Sequence, residues 1–408
     1  MDEELTAEVD RLRWDKRRHP GRGQREYATT ARTVREVCDQ LTATGHADQA
    51  VPVLRKAVDR ITRTLMYLDD SSGIIGVELR QIMRSYARAC TVAPPAPKSL
   101  ATWLVKLQCD GPGWPDIVLP DFAAALGPKG VAEIERQVTE RATTVDPDSW
   151  SADFHLRDLR EQLAEISGDV DRYVAVLAER LTNPGPYEKI ATALHAAGRH
   201  AEALDWARRG VSDHVTSPYT DSLRDVLVDL LLDADDHAGA LQVRQSEFDR
   251  RPISATYWPW AQTAARVGAP DPLPDALTVL RERTATQPKY AAELVALLLV
   301  GGQDDDAWRI ATAHREYLGE QLWLDVLNRR SATHPGNVLE PYRDLIEQHV
   351  LDSSDKQRYR RAVTLLPPLQ RAHRADGQPE AFTPYLAELR QRHLRRPSFL
   401  KTLDSRGF

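Results

Sequence analysis

Residues 196–206 have the pattern of a corner between two helices, and this pattern restricts the fold more than any other feature of the chain. The preceding apolar residues follow helical spacing at i, i+3, i+4 and i+7, namely Tyr187, Ile190, Ala191 and Leu194. Gly198 can adopt the left-handed conformation that commonly ends a helix. Helical spacing then resumes at Ala203, whose small side chain allows two helices to approach closely.

The corner recurs along the chain with two markers. One is an alanine early in the second helix, at spacings of 37, 36 and 31 residues: Ala203, Ala240, Ala276 and Ala307. The other is a proline shortly before a new helical run, at spacings of 32, 34 and 36 residues: Pro186, Pro218, Pro252 and Pro288. Repeats of about 34 residues are the size of helix pairs that bury their apolar faces on their neighbours. The sequence therefore predicts an all-α fold, an α-solenoid of TPR-like helix-turn-helix repeats with an N-terminal helical sub-domain.

Changes in composition divide the chain into three predicted segments. Residues 1–26 form a basic N-terminal arm, residues 27–145 a helical sub-domain, and residues 146–408 the repeat array with a basic C-terminal tail. Inside the sub-domain, the proline-rich stretch 94–97 ends one helix, and Ser99 is expected to be the N-cap of the next.

The composition indicates a cytoplasmic protein. The formal net charge of −6 argues against coating of the whole surface by nucleic acid. The three cysteines, Cys38, Cys90 and Cys109, form no C-x-x-C motif, and Cys38 is expected on an apolar helix face, packed rather than reactive. We find no signal peptide, and the longest apolar stretch, residues 294–300, is far too short to cross a bilayer.

No catalytic motif is visible, so we expect neither an enzyme nor a bound cofactor. G-x-S-x-G, H-E-x-x-H and the dinucleotide-binding glycine pattern are all missing. The oxygen-rich loop with Asp69 and Asp70 resembles a metal site, but it also suits the N-cap of a helix, which we favour. His237 lies in an acidic turn that again suits a solvated corner better than a metal. The acidic run at residues 304–306 is expected to begin a helix, where carboxylates offset unpaired N–H groups.

Three groups of residues are candidates for binding a partner. Trp258 and Trp260 flank a proline, and this spacing could turn one indole ring outward. A basic tail follows the last helices, and a second basic cluster lies in the arm; their candidate residues are Arg390, Arg392, Arg395, Arg396, Arg17 and Arg18. Either cluster can contact an anionic partner. For the tail, favourable charge at a helix C-terminus is an alternative explanation.

Several blocks of this sequence resemble a known family. They are residues 68–76 (LDDSSGIIG), 86–90 (YARAC), 110–114 (DGPGW), 198–206, 385–390 and 399–404. They are similar to the helical region that follows the zinc finger in actinobacterial SWIM zinc-finger proteins. The finger itself is a C-x-C…C-x-H site, which this chain lacks, so its zinc and nucleic-acid binding are not implied here. The resemblance implies an all-helical interaction scaffold, and it makes a partner from an AAA-type ATPase system conceivable.

These observations lead to one main hypothesis and one alternative. The main hypothesis is a non-enzymatic helical-repeat scaffold that binds another protein, because stacked helix pairs form an extended recognition surface. The alternative is a nucleic-acid-binding protein that uses the basic arm and tail, whose binding would weaken steeply with salt. We expect no contact with a membrane.

Overall fold

The computed structural model describes residues 3–13, 24–67, 70–112, 114–143 and 150–408. Within these residues the chain forms α-helices and no strand, which confirms the predicted all-α, TPR-like repeat fold. The helices are α1 (Glu3–Arg11), α2 (Gln24–Ala43), α3 (Ala47–Leu65), α4 (Ile74–Val92), α5 (Pro97–Asp110), α6 (Leu119–Ala142), α7 (Trp150–Ser167), α8 (Val170–Ala178), α9 (Pro184–Ala196), α10 (His200–Asp213), α11 (Asp221–Asp233), α12 (His237–Arg250), α13 (Ser254–Arg266), α14 (Leu273–Thr286), α15 (Ala291–Val300), α16 (Asp304–Ala313), α17 (Glu320–Thr333), α18 (Leu339–Leu351), α19 (Arg358–Thr364), α20 (Leu366–Ala375), α21 (Phe382–Arg392) and α22 (Pro397–Ser405).

The corner predicted at residues 196–206 ends α9 with a left-handed residue. Gly198 has a φ of 76°, and the N–H of Arg199 donates to the carbonyl oxygen of Leu194 at 2.9 Å, the bond that defines a Schellman motif. The same pairing of a positive φ with this bond recurs at Asp235, Gly268 and Gly302. The same backbone conformation therefore closes the first helix in each of these four repeats, α9, α11, α13 and α15.

The alanine marker occupies its predicted position in all four repeats, and the proline marker does so at Pro218, Pro252 and Pro288, whereas Pro186 lies inside the first turn of α9, which begins at Pro184. The four marker alanines are completely buried: Ala203, Ala240, Ala276 and Ala307. Pro218 and Pro288 each open a short 3₁₀ turn that leads directly into α11 or α15. Proline suits this place because it has no N–H to leave unpaired.

Contacts between Cα atoms divide the chain into unit 1, Met1–Val226, and unit 2, Leu227–Phe408, so that the boundary falls inside α11. The main core of unit 1 joins side chains from Val9 to Leu163. Ile190, Ala191 and Leu194 are also buried, as their spacing predicted. The predicted boundaries at 26/27 and 145/146 remain predictions.

The start of the predicted basic arm packs into the core of unit 1. Val9 and Leu12 on and just after α1 are almost completely buried. The hydroxyl of Tyr27 donates to the carbonyl oxygen of Leu12 at 2.8 Å, and Arg60 binds the carboxylate of Asp10 at 2.6 Å. This part of the arm is therefore packed on the sub-domain, because α2 and α3 cover Val9 and Leu12.

Unit 2 is a run of helices that pack on their neighbours in chain order. Contacts join α12 with α13, α14 with α15, α15 with α16 and α16 with α17. The first helices of successive pairs also touch, since α15 contacts both α13 and α17. A continuous apolar core extends from Phe248 to Leu403. In the described part of the chain, no helix combines the length and the apolar character needed to cross a membrane.

Candidate functional site

The predicted tail arginines are held mainly by groups of unit 2 itself. Arg390 donates to the carbonyl oxygen of Phe408 at 2.7 Å and to Oδ1 of Asp404 at 2.5 Å. Arg392 bridges to Oε2 of Glu347 on α18 at 3.3 Å. These bonds fix α21 against its surroundings, so the charges already have partners inside the chain.

The remaining tail residues divide between anchoring and exposure. Arg396 donates to the carbonyl oxygen of Val350 at 3.4 Å, and the buried ring of His393 lies 3.0 Å from the carboxylate of Glu347. Arg395 is exposed. The tail thus holds the C-terminal helices in place, while a binding role for its arginines remains a prediction.

The structure separates the two candidate tryptophans. Trp260 is 5% exposed and packs at 5.6 Å from the ring of Phe248, whereas Trp258 is 46% exposed and touches the ring of Tyr257 edge-on. Two residues apart on a helix, their side chains point about 200° apart. Trp258 is therefore the one outward indole that the sequence anticipated, and Trp260 belongs to the core.

The other sequence candidates lie at helix caps or outside the described residues. Arg17, Arg18 and Asp69 lie outside them. Asp70 accepts hydrogen bonds from the backbone N–H groups of Ile75 at 3.1 Å and Gly76 at 2.8 Å, which confirms its predicted role in capping a helix. At the His237 corner, the capping residue is Asp236, which accepts from the N–H of Gly239 at 2.9 Å.

A groove that the sequence did not reveal lies between α3 and α5 in unit 1. We call it the α3–α5 groove; it encloses about 900 Å³. Its α3 wall carries Arg55, Asp59, Thr62, Arg63 and Met66, and its α5 wall carries Lys98, Ser99, Thr102, Trp103, Lys106 and Asp110. On both walls the spacing follows helix turns, so each helix presents one continuous stripe to the groove.

The floor of the groove is rigid. The indole N–H of Trp103 donates to Oδ1 of Asp59 across the groove at 2.9 Å, and the guanidinium of Arg55 lies 5.3 Å from the centre of the same ring. Tyr86 packs edge-on against Trp103 with the ring centres 5.2 Å apart. These contacts join the two walls and cover much of the tryptophan, which is 8% exposed.

The rim of the groove carries cations without ion pairs. Arg63, Lys98 and Lys106 are exposed, and none forms a salt bridge with any part of the chain that the structure describes. In other parts of the chain, basic side chains are commonly paired across helices, as in the bond of Arg160 to Glu179 at 2.7 Å. The unpaired cations give the groove an excess of positive charge.

The carboxylates of the groove offset this charge only in part, because its lining contains four cations, Arg55, Arg63, Lys98 and Lys106, and two carboxylates, Asp59 and Asp110. Asp110 is bound by two guanidinium nitrogens of Arg141, at 2.6 and 2.9 Å. This pairing lowers the pKa of the Asp110 carboxyl below its ordinary value, so the group stays ionised and bound to Arg141. The other carboxylate, Asp59, accepts a hydrogen bond from the neutral indole N–H of Trp103 and keeps its negative charge.

The sequence contains part of the signal for this groove. Arg55, Asp59, Arg63 and Met66 recur at helical spacing, which predicts an exposed stripe on α3. The sequence does not show that this stripe faces Lys98 and the residues that follow it on α5. The two stripes meet only through the packing of α3, α4, α5 and α6.

Comparison with protein families gives a direct match. The model of a family of unknown function, DUF6880, matches residues 21–256. This chain belongs to the DUF6880 family. The matched stretch of the DUF6880 protein runs from before α2 into α13 and contains every residue that lines the α3–α5 groove. No curated protein matches the chain.

Several solved structures are similar to the DUF6880 protein at low identity. A Rap protein complexed with competence and sporulation factor is 11% identical, with a TM-score of 0.24, over 98% of this chain and all of that one. A Naa15/Naa10 complex bound to HypK-THB is 12% identical, with a TM-score of 0.33, over 98% of this chain and 68% of the other. The human IFIT1 dimer with m7Gppp-AAAA is 13% identical, with a TM-score of 0.23, over 97% and 95% of the two chains.

Proposed function

We propose that this DUF6880 protein is a non-enzymatic helical-repeat scaffold that binds another protein. The observation that supports it is the run of helix pairs in unit 2, in which successive pairs pack on one another around one continuous apolar core. Such repeats form extended surfaces that suit recognition of a partner chain. The α3–α5 groove of unit 1 offers one defined binding place.

The nucleic-acid alternative receives less support. It depended on the basic arm and tail, but three of the four tail arginines already bind acceptors within unit 2. The net charge of −6 also opposes long-range attraction to a polyanion. We therefore expect little retention of the protein on DNA or RNA, even at low salt.

Two finer expectations remain proposals. The three cysteines are free thiols, which suits the reducing cytoplasm that we propose as the location. The relation to SWIM zinc-finger proteins and a partner from an AAA-type ATPase system rest on the sequence resemblance alone.

The proposed function is tested by quantitative affinity capture of the tagged full chain from its native host. An unrelated helical-repeat protein of similar net charge serves as the control bait, and each capture is repeated after nuclease treatment. We expect at least one protein to be enriched over the control and to survive nuclease. Enrichment of nucleic acid alone, or of no protein after chemical cross-linking, would refute the proposal.

A further inference from the structure

One of the cations of the α3–α5 groove, Lys98, lies at a position where a positive charge does not stabilise its helix. Lys98 lies in the first turn of α5, directly after Pro97. A cation at a helix N-terminus opposes the helix dipole, which favours carboxylates there. Lys98 influences the carboxylate of Glu133, but that group is already bound by Arg136 at 2.5 Å and by Gln137 at 2.8 Å. Helix stability therefore gives no reason for a lysine at this position.

The groove also contains a buried hydroxyl without a hydrogen-bond partner. Thr62 lines the groove and is only 5% exposed, and its Oγ1 forms no hydrogen bond within the described chain. Burial of a hydroxyl without a partner costs about 1–3 kcal/mol, so such groups are rare in folded proteins. The Oγ1 atom is not accessible from the groove, so this hydroxyl is a feature of the packed core and not a contact for a bound segment.

We propose that the α3–α5 groove binds an acidic segment of the partner protein, an inference that rests on the proposed function. Carboxylates of this segment pair with Arg63, Lys98 and Lys106, none of which forms a salt bridge within the described chain. Met66, which lines one end and is 59% exposed, provides an apolar contact for the same segment.

The geometry favours a peptide over a nucleic acid. Bases are bound by stacking on open aromatic faces, whereas Trp103 is enclosed by Arg55 and Tyr86. The unpaired cations are also confined to a short groove. Residues 55–66 of α3 and 98–110 of α5 each extend over about 17–18 Å at 1.5 Å per residue. This length matches about three turns of a helix, or roughly five residues of extended chain.

Fluorescence anisotropy with a synthetic probe tests this inference on the full chain. The probe is a labelled peptide of about 12 residues, long enough for three helical turns, in which glutamates alternate with leucines and alanines. A peptide with lysine in place of each glutamate and a labelled oligothymidine of equal charge are the comparison probes. The wild type should bind the acidic peptide saturably and more tightly than either comparison probe.

Two triple variants locate the binding. The groove variant carries Arg63→Glu, Lys98→Glu and Lys106→Glu. The matched variant carries Arg84→Glu, Lys356→Glu and Arg374→Glu, three exposed positions that form no salt bridge with the described chain and line no part of the groove. The groove variant should bind the acidic peptide about tenfold or more weakly than the wild type. Each of the three partly exposed ion pairs contributes a factor of about two to three to the affinity. The matched variant should bind like the wild type, and circular dichroism should show both variants folded.

The outcomes separate the groove from the proposed function. Equal binding by both variants, no saturable binding by the wild type, or tighter binding of oligothymidine would overturn the groove inference. The same variants are then used as baits in affinity capture. If the groove variant captures a protein partner as well as the wild type does, the scaffold function is supported but the groove is not its binding site. If the wild-type bait captures no protein, the scaffold function itself is contradicted.

Discussion

Asp235 has a backbone conformation that the equivalent corners of this chain give to glycine. Its φ is 57°, and among the described residues it is the one non-glycine with a positive φ. The N–H of Asp236 completes the same corner by donating to the carbonyl oxygen of Leu231 at 2.8 Å. A side chain in this region brings Cβ close to the following carbonyl oxygen, and aspartate tolerates this better than most residues.

Opposite changes at two corners test this interpretation. Asp235→Gly should raise the free energy of unfolding by about 0.5–1 kcal/mol, and Gly198→Ala should lower it by about 1 kcal/mol. A Cβ added at Gly198 would meet no atom within 4 Å, so the expected loss comes from the backbone conformation alone. Urea denaturation followed by circular dichroism measures both values. If the free energy of unfolding changes in the same direction in both variants, the left-handed conformation at the corner does not determine stability.

Burial makes Cys38 an unreactive thiol. The side chain is fully buried on α2, and burial raises the pKa of the thiol from its ordinary 9.0 to about 12. At pH 8 the folded protein should react with iodoacetamide at Cys38 far more slowly than the urea-unfolded chain, as mass spectrometry of the labelled peptides can show. Equal rates in the folded and unfolded states would contradict the burial.

The same shift in pKa predicts alkaline destabilisation. The folded state resists ionisation of the Cys38 thiol, whereas the unfolded chain ionises near pH 9. The stabilising contribution is therefore complete below pH 9 and is lost as the pH rises from 9 to about 12. A Cys38→Ala variant should lose less stability than the wild type over this range. The midpoint of thermal unfolding measures this loss. If it decreases no more in the wild type than in the variant as the pH rises, this thiol is not responsible.

At the scale of the element, the C-terminal helices depend on one carboxylate of α18. Glu347 accepts hydrogen bonds from Arg392 at 3.3 Å and from the ring of His393 at 3.0 Å. His393 is 4% exposed, so it would be left buried without this partner. This carboxylate therefore joins the start of the basic tail to α18.

Loss of this carboxylate should loosen the tail. Glu347→Ala is expected to lower the free energy of unfolding by about 1–3 kcal/mol, the usual penalty for leaving a buried polar group unpaired. Hydrogen exchange measured by mass spectrometry should become faster in α21 and α22. Glu380→Ala, at an exposed position in the turn before α21, is the matched control and should change neither quantity. Equal effects of the two substitutions would argue against anchoring through Glu347.

The elements themselves could be predicted from the sequence, because helical spacing and corner residues act locally. The buried alanines, Gly198 and the two parts of α6 on either side of Gly127 all follow from such local signals. The start of α5 was misplaced: Ser99 was expected to be its N-cap, but the helix begins at Pro97, whose fixed φ suits a first turn. Ser99 and Lys98 therefore face the groove instead of preceding the helix.

The parts that could not be predicted depend on contacts between distant elements. The sequence placed the acidic run 304–306 at a helix start, which the structure confirms. It did not show that Asp305 pairs with Arg330 and Asp306 with Arg281, on neighbouring helices. The α3–α5 groove could not be predicted either, because its two walls are more than 30 residues apart in the sequence and no local pattern links them.

At the scale of the whole molecule, the two units have separate apolar cores. The core of unit 1 includes Leu54, and that of unit 2 includes Leu298; both side chains are completely buried. In helical-repeat proteins, stability is approximately a sum of local and nearest-neighbour contributions. A change in one core should therefore affect mainly its own unit.

Two truncations of buried leucines test this expectation. Leu54→Ala and Leu298→Ala should each cost about 2–5 kcal/mol, since each leaves a cavity in a packed core. Hydrogen exchange should become faster mainly within Met1–Val226 for the first and within Leu227–Phe408 for the second. Uniform acceleration over the whole chain in either variant would show that the chain unfolds as a single cooperative body.

The most direct test of the account is site-specific photo-cross-linking of the full chain in its native host. A photoreactive phenylalanine derivative replaces one exposed residue at a time: Ser99 in the α3–α5 groove, Ala255 near Trp258, or Ser398 in the tail. The account predicts a protein cross-linked from Ser99, through a segment rich in aspartate and glutamate. Cross-links from Ala255 or Ser398 with none from Ser99, or cross-links to nucleic acid alone, would contradict it.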